Sequence, residues 1–221
     1  MRSLNRATAT FWGLFLVAAL ALCGCEDPKK RLPDKGTKAG GDPHLKGGDL
    51  VYSDDFNRAQ VGEAYSSPAD HWKIADGWVH AKGARNEGLW LKEKLPQRAR
   101  VEFDARSESP DGDIKIEIFA AAPKHQGGYI VIFGGWKNQL NVIARLDEHG
   151  KDRKEAVKPM VERGKTYHFA VIKAGDTLTW YVDNELVLSY RDPSPLSGRY
   201  FGFNDWDTPV YFDNLRVYDL N

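Results

Sequence analysis

Residues 166–190 decide the fold. They read Thr166-Tyr-His-Phe-Ala-Val-Ile-Lys173, then Ala174-Gly-Asp176, then Thr177-Leu-Thr-Trp-Tyr-Val182, then Asp183-Asn184, then Glu185-Leu-Val-Leu-Ser-Tyr190. Aromatic and β-branched residues crowd each run, and such residues suit the pleated, half-buried surface of a strand. The breaks are short and polar. Asp183-Asn184 fits the two positive φ angles of a two-residue hairpin turn. Three strands joined by tight turns predict an antiparallel meander.

The same signal recurs upstream. Val101, Phe103 and Ala105 alternate with Glu102 and Asp104, while Ile114, Ile116 and Ile118 alternate with Asp113, Lys115 and Glu117. A period of two predicts strands with one buried face and one wetter face. Further strands are expected near 50–56, 78–82, 88–92, 128–134, 139–146, 199–204 and 209–219. No long segment has helical periodicity. About a dozen strands cannot form one flat sheet, so two packed antiparallel sheets follow.

The N-terminus reads differently. Arg2 and Arg6 precede an apolar run from Phe11 to Leu22, and the segment ends Leu22-Cys23-Gly24-Cys25. Positive charge, a short apolar core and then small residues make a secretory signal. The run is too short to span a bilayer, which takes about 20 residues. Leu22 and Gly24 before Cys25 resemble the bacterial lipobox, which implies cleavage after residue 24 and lipidation of Cys25. Residues 26–48 are rich in charge, Pro and Gly, so they are expected to form a disordered tether. As a coil it would span on the order of 25–30 Å. The expected organisation is therefore a signal over 1–24, a lipidated cysteine and tether over 25–48, and one β-sandwich over 49–221. The expected location is the bacterial cell envelope. Glu26 stands where some bacteria place an inner-membrane retention Asp, which favours the outer membrane.

Charge and cysteine count exclude several classes. The chain has 31 Lys and Arg against 31 Asp and Glu. Removing residues 1–24 takes Arg2 and Arg6 and no acid, leaving 29 basic residues against 31 acidic ones. No strong field recruits nucleic acid, and the lipid must supply most of the membrane affinity. Cys23 and Cys25 are the only cysteines, so the domain is expected to hold no disulfide and no cysteine metal site. The six His show no H-x-x-x-H spacing, and neither G-x-S-x-G nor a phosphate-binding glycine loop occurs.

A set of motifs carries a family resemblance. Asp54-Asp55-Phe56 opens the domain and Trp72-Lys-Ile-Ala-Asp-Gly-Trp78 reads as its first hairpin. Trp180-Tyr-Val-Asp-Asn-Glu-Leu-Val187 forms a later hairpin, and Gly202-Phe203, Trp206 and Phe212-Asp213-Asn214-Leu-Arg-Val217 close the domain. These resemble the concanavalin A-like jelly roll, in the broad group of laminin G-like domains and the 3-keto-disaccharide hydrolase domain. The resemblance implies an all-β, two-sheet antiparallel jelly-roll sandwich. It is poor in functional content, since this fold hosts lectins, glucanases and adhesion modules alike.

Three groups of residues are candidates for chemistry. Asp113-Ile-Lys-Ile-Glu117 resembles the carboxylate strand of family 16 glycoside hydrolases, where two carboxyls about 5–5.5 Å apart support a retaining mechanism. Here Lys115 occupies the middle place and is expected to hold both carboxylates ionised, removing the acid. That favours a solvated strand face of alternating charge; if the chain is an enzyme, Asp113 and Glu117 are the pair. Trp90, Trp136 and Trp206 sit among glycines and polar residues and are candidates to stack on sugar rings. Asn138, Arg145, Asn204 and Asp205 are the polar readers beside them. Trp72, Trp78 and Trp180 are assigned to the core. Asp54, Asp55 and Asp213 lie near the first and last strands, and the resemblance makes them candidate ligands of a structural Ca²⁺; no other cofactor is implied. The favoured reading is a non-catalytic, membrane-tethered sandwich that binds a glycan or another extracellular polymer. The alternatives are a carbohydrate-active hydrolase of the 3-keto-disaccharide or family 16 type, and a structural or adhesive module for a protein partner.

Overall fold

The computed structural model describes residues 42–221. The signal, Cys25 and residues 26–41 of the expected tether lie outside the described residues. Among those described, no helix is long and apolar enough to cross a membrane.

The described residues run through fifteen strands. The first five are β1 (Asp49–Asp54), β2 (Tyr65–Ser66), β3 (Lys73–Ala75), β4 (Trp78–Ala81) and β5 (Leu89–Leu91). The next five are β6 (Ala99–Ser107), β7 (Ile114–Ala120), β8 (Tyr129–Gly134), β9 (Leu140–Arg145) and β10 (Lys154–Ala156). The last are β11 (Tyr167–Ala174), β12 (Thr177–Val182), β13 (Glu185–Arg191), β14 (Tyr200–Asn204) and β15 (Val210–Asp219). All pairings are antiparallel.

They form two sheets. The eight-stranded sheet has the order β13-β12-β11-β6-β15-β4-β3, with β1 added against β15. The seven-stranded sheet has the order β10-β9-β8-β7-β14-β5-β2. The expected meander is β11, β12 and β13, and Asp183 and Asn184 take φ of 52° and 67°, as the hairpin turn requires. β15 serves two partners on one edge, β4 along Val210–Phe212 and β1 along Leu215–Asp219. The shift between them falls at Asn214, whose φ is 54°.

One apolar core fills the space between the sheets. Phe103, Phe201, Phe203 and Phe212 pack ring to ring at its centre, with centroids 4.3–6.2 Å apart. Ile114, Ile116, Ile118, Val131 and Phe133 line the seven-stranded side, while Val101, Phe169, Val171 and Trp180 line the other. Trp72, Trp78 and Trp180 are buried, as assigned.

Two expectations need correction here. Residues 42–48 are not free tether. Arg100 donates to the carbonyls of His44 and Gly47 at 2.7 and 2.9 Å, Tyr181 donates to Asp42, and Leu45 packs on Ala170, Ile172 and Tyr181. These contacts join the segment to the eight-stranded sheet, so the domain begins before residue 49. The second correction concerns β7. Its charged residues were expected on a wet face, yet every residue of β7 is buried. The seven-stranded sheet is covered on the side turned away from the core, here called its outer face, and that cover builds the site.

Candidate functional site

Two ionic side chains stand on the outer face of β7. The core takes Ile114, Ile116 and Ile118, so the pleat turns Lys115 and Glu117 outward. Lys115 pairs in register with Asn204 of β14 and Ile132 of β8, and Glu117 with Gly202 and Ile130. The exposures are 2% for Lys115 and 0% for Glu117. Charges at that depth need partners, because desolvation costs several kcal/mol per ion.

The partners come from loops on every side. Lys115 Nζ donates to Asn86 Oδ1 at 2.8 Å and lies 3.0 Å from Glu148 Oε2. Glu117 Oε1 accepts from Asn204 Nδ2 at 3.0 Å and lies 2.6 Å from His125 Nδ1. With Glu117 ionised the carboxylate only accepts, and His125 Nδ1 is then the donor in this contact. Glu117 Oε2 is buried with no hydrogen-bond partner. The side chain of His125 keeps 22% of its surface, which makes it the bridge between the buried carboxylate and solvent.

At the end of β7, Asp113 and Asp205 hold a second loop. Asp113 sits at φ 59° and accepts the backbone N–H of Trp206. Asp205 is fully buried; Oδ2 accepts the Thr208 N–H at 3.0 Å and Oδ1 has no partner. Burial pushes its carboxyl up to about 7, with the Asp113 charge adding to the rise and the Thr208 amide and Lys115 opposing it. Burial also raises the Asp113 carboxyl, against the pull of Lys115 and the Trp206 amide. Desolvation outweighs the neighbouring cation at this carboxyl, so its pKa lies above the ordinary carboxylate value rather than below it. Asp113 and Glu117 each contact a different loop.

The tryptophans divide. Trp206 is 54% exposed, on a backbone held by Asp113 and by the Asp205 turn. Trp136 is half-buried on the outer-face cluster of Ile130, Ile132, Val142 and Ala144. The Arg153 guanidinium lies 4.7 Å from its ring and His149 meets it edge-on at 5.6 Å. Trp90 is no rim residue. It is buried at 2% exposure opposite Gly202, where a Cβ would come within 2.8 Å of its ring. A flat indole needs that missing side chain, so Trp90 forms the floor beside Glu117.

Two predicted readers are structural. Asn138 follows a left-handed turn, with φ of 51–61° at Trp136, Lys137 and Asn138. The turn sends its side chain inward, where it donates to Val161 O and Pro110 O and accepts from Val161 N. Arg145 donates to Asp192 at 2.9 Å and to Ser194 O. Asn204 is placed in the site, but buried, as the link between Glu117 and the Asp205 N–H. Sequence reasoning missed Asn86, His125 and Glu148. They lie in loops with no periodicity, and their part follows only from what β7 needs covered.

The aspartates put forward as calcium ligands have these neighbours. Arg58 grips both carboxylate oxygens of Asp54 at 2.6 and 2.8 Å, and Tyr65 donates to one of them. Asp55 binds Asn57, and Asp213 stands opposite Asp104 in the β15–β6 register. Among the described residues, no group of three or more His, Cys, Asp or Glu is placed to hold a metal ion.

Two antiparallel sheets packed around one core make a concanavalin A-like jelly roll. Solved structures agree on the fold. The carbohydrate binding module CBM66 from Bacillus subtilis is similar with a TM-score of 0.60 and 17% identity, over 71% of this chain and 96% of that one. A Bacillus licheniformis β-glucanase gives 0.57 and 11%, over 80% and 100%. A Bacillus subtilis protein of unknown function with a galectin-like fold gives 0.57 and 13%, over 79% and 97%. The chain belongs to the family of 3-keto-alpha-glucoside-1,2-lyase-like domains, whose profile matches residues 48–218. No curated protein matches it in sequence.

Proposed function

We propose that this chain is a lipid-tethered domain of the bacterial cell envelope that receives a saccharide on the outer face of its seven-stranded sheet. The observation that carries the reading is Trp206, a large aromatic 54% exposed yet fixed by the Asp113 carboxylate directly beside the ionic cluster. Sugar rings present C–H groups that stack on such a face. Trp136 with Arg153 adds a second aromatic surface on the same side of the sheet. The family description supports a glucoside as the sugar, and the carbohydrate binding module supports recognition as a use of this fold.

The test is a titration of tryptophan fluorescence with methyl α-glucoside, its 3-keto derivative, maltose and trehalose. At least one sugar is expected to change the emission. Trp206→Ala should then weaken binding about tenfold to over a hundredfold, equivalent to about 1–3 kcal/mol, with an unchanged melting temperature. A Trp206→Ala protein that binds as tightly as wild type removes the stacking role.

One observation favours turnover over recognition alone. Glu117 and His125 form a buried carboxylate holding a half-open imidazole, the arrangement that orients a general base. The family description names a lyase acting across C1 and C2 of a 3-ketoglucoside. Such an elimination begins by removing the C2 proton, which the neighbouring carbonyl makes acidic.

A further inference from the structure

We propose that His125 Nε2 is the base that takes the C2 proton from a 3-keto-α-glucoside, and that Glu117 is the residue that positions it. The inference rests on the lyase reading above and assigns its proton transfer to particular atoms.

Three features converge on this pair. Glu117 has no exposed surface, yet one of its oxygens is given to His125 at 2.6 Å and the other to nothing. A carboxylate kept buried at that cost is well placed to fix the tautomer of the imidazole, with the proton on Nδ1 and the lone pair on Nε2. His125 is the member of the Lys115–Glu117–Asn204 group that reaches solvent, so it can meet a ligand the others cannot touch. The floor beneath is the Trp90 indole across Gly202, directly opposite Glu117 in register. Lys115 lies about 7 Å along the same strand face, a positive charge offset by Glu148 at 3.0 Å.

The step balances without any co-reactant. The C2–H bond breaks, the proton passes to Nε2, and its electron pair spreads onto the C3 carbonyl oxygen as an enolate. The enolate then re-forms the carbonyl as the pair moves into a C1=C2 double bond and the C1–O bond breaks. The departing oxygen takes a proton from water, and the imidazolium returns its own to the hydroxide so formed.

Proton abstraction is observable even where elimination is slow, because the C2 hydrogen exchanges with solvent. The full chain is mixed with methyl 3-keto-α-D-glucopyranoside in D₂O, and the H2 resonance is followed by NMR alongside tryptophan quenching. Wild type is expected to erase the H2 signal well above the buffer rate. His125→Gln, a change in a partly exposed loop residue, should slow the loss about 10²–10⁴-fold while the quench and the melting temperature persist. Glu117→Gln should slow the exchange while the quench and the melting temperature persist, a combination that a loss of folding would not give. Quenching by the sugar without H2 loss above buffer overturns this inference and leaves saccharide recognition standing. So does exchange at the wild-type rate in His125→Gln. Absence of both quenching and exchange overturns the recognition reading as well.

Discussion

Asp205 makes the fold pay for pH, in a way that one substitution isolates. Its carboxyl is fully buried, with one oxygen on the Thr208 N–H and the other unpartnered, and burial lifts it from 3.8 to about 7. In the unfolded chain it loses its proton near 3.8. Between those values the folded state binds the extra proton, so stability falls as pH rises. The contribution is fully present below about pH 4 and is lost as pH passes through about 7. At about 1.4 kcal/mol per pH unit, the ionised group costs the fold up to about 4 kcal/mol above pH 7. Asp205→Asn keeps the shape and an oxygen for Thr208 but never ionises. The variant should exceed wild type by about 1–2 kcal/mol at pH 5 and by about 2–4 kcal/mol at pH 8, with relaxation around the group setting the lower figures.

Urea unfolding followed by tryptophan emission at pH 5, 6, 7 and 8 measures this. The difference between the two proteins is the quantity to read, because Asp113 is also raised by burial and interacts with Asp205. Subtracting the curves cancels the shared groups that do not interact with Asp205. Parallel curves across the range, or an Asp205→Asn protein no more stable than wild type at pH 8, would refute the reasoning. Either result would mean that Asp205 is solvated when charged.

Two other substitutions and one labelling experiment complete the expectations. Trp90→Ala empties a buried site and should cost about 3–5 kcal/mol in urea unfolding, in contrast with exposed Trp206. Gly202→Ala forces a methyl within 2.8 Å of the Trp90 ring and should cost about 1–3 kcal/mol by overpacking; a neutral result would show that the indole can shift. Cys25→Ala should accumulate as a precursor that no longer takes up a fatty-acid probe, while Cys23→Ala labels as wild type. Normal labelling of Cys25→Ala would remove the lipid anchor from the account.

The fold was legible because its strands are long enough to show a period. Ile114, Ile116 and Ile118 all reach the core, as do Val101, Phe103 and Ala105. β2 and β10 were not legible, since two or three residues cannot display alternation. The site was half legible. Asp113-Ile-Lys-Ile-Glu117 singled itself out by charge, and Asn204, Asp205 and Trp206 by their place after the last glycine-aromatic strand. What the pattern could not tell was whether water or protein lay against those charges. The partners are far away in sequence: Asn86 is 29 positions from Lys115, and Asn204 is 87 from Glu117. An alternating strand looks the same whether its second face is open or roofed.

That roof ties stability to function. Lys115 and Glu117 are tolerable inside the protein only while Asn86, Glu148, His125 and Asn204 stand against them. The loops that carry those partners also carry the exposed parts of the site. Asn86 N–H donates to Asp205 O at 2.9 Å, and Arg85 reaches Asp207 at 2.8 Å, so the loop over Lys115 is tied to the turn that displays Trp206. Opening one loop to solvent would leave a charge without its partner and free the neighbouring turn at once. The ionic cluster therefore enforces a single closed arrangement of otherwise irregular chain. A ligand meeting Trp206 and His125 meets groups already held in place, and pays little to order them.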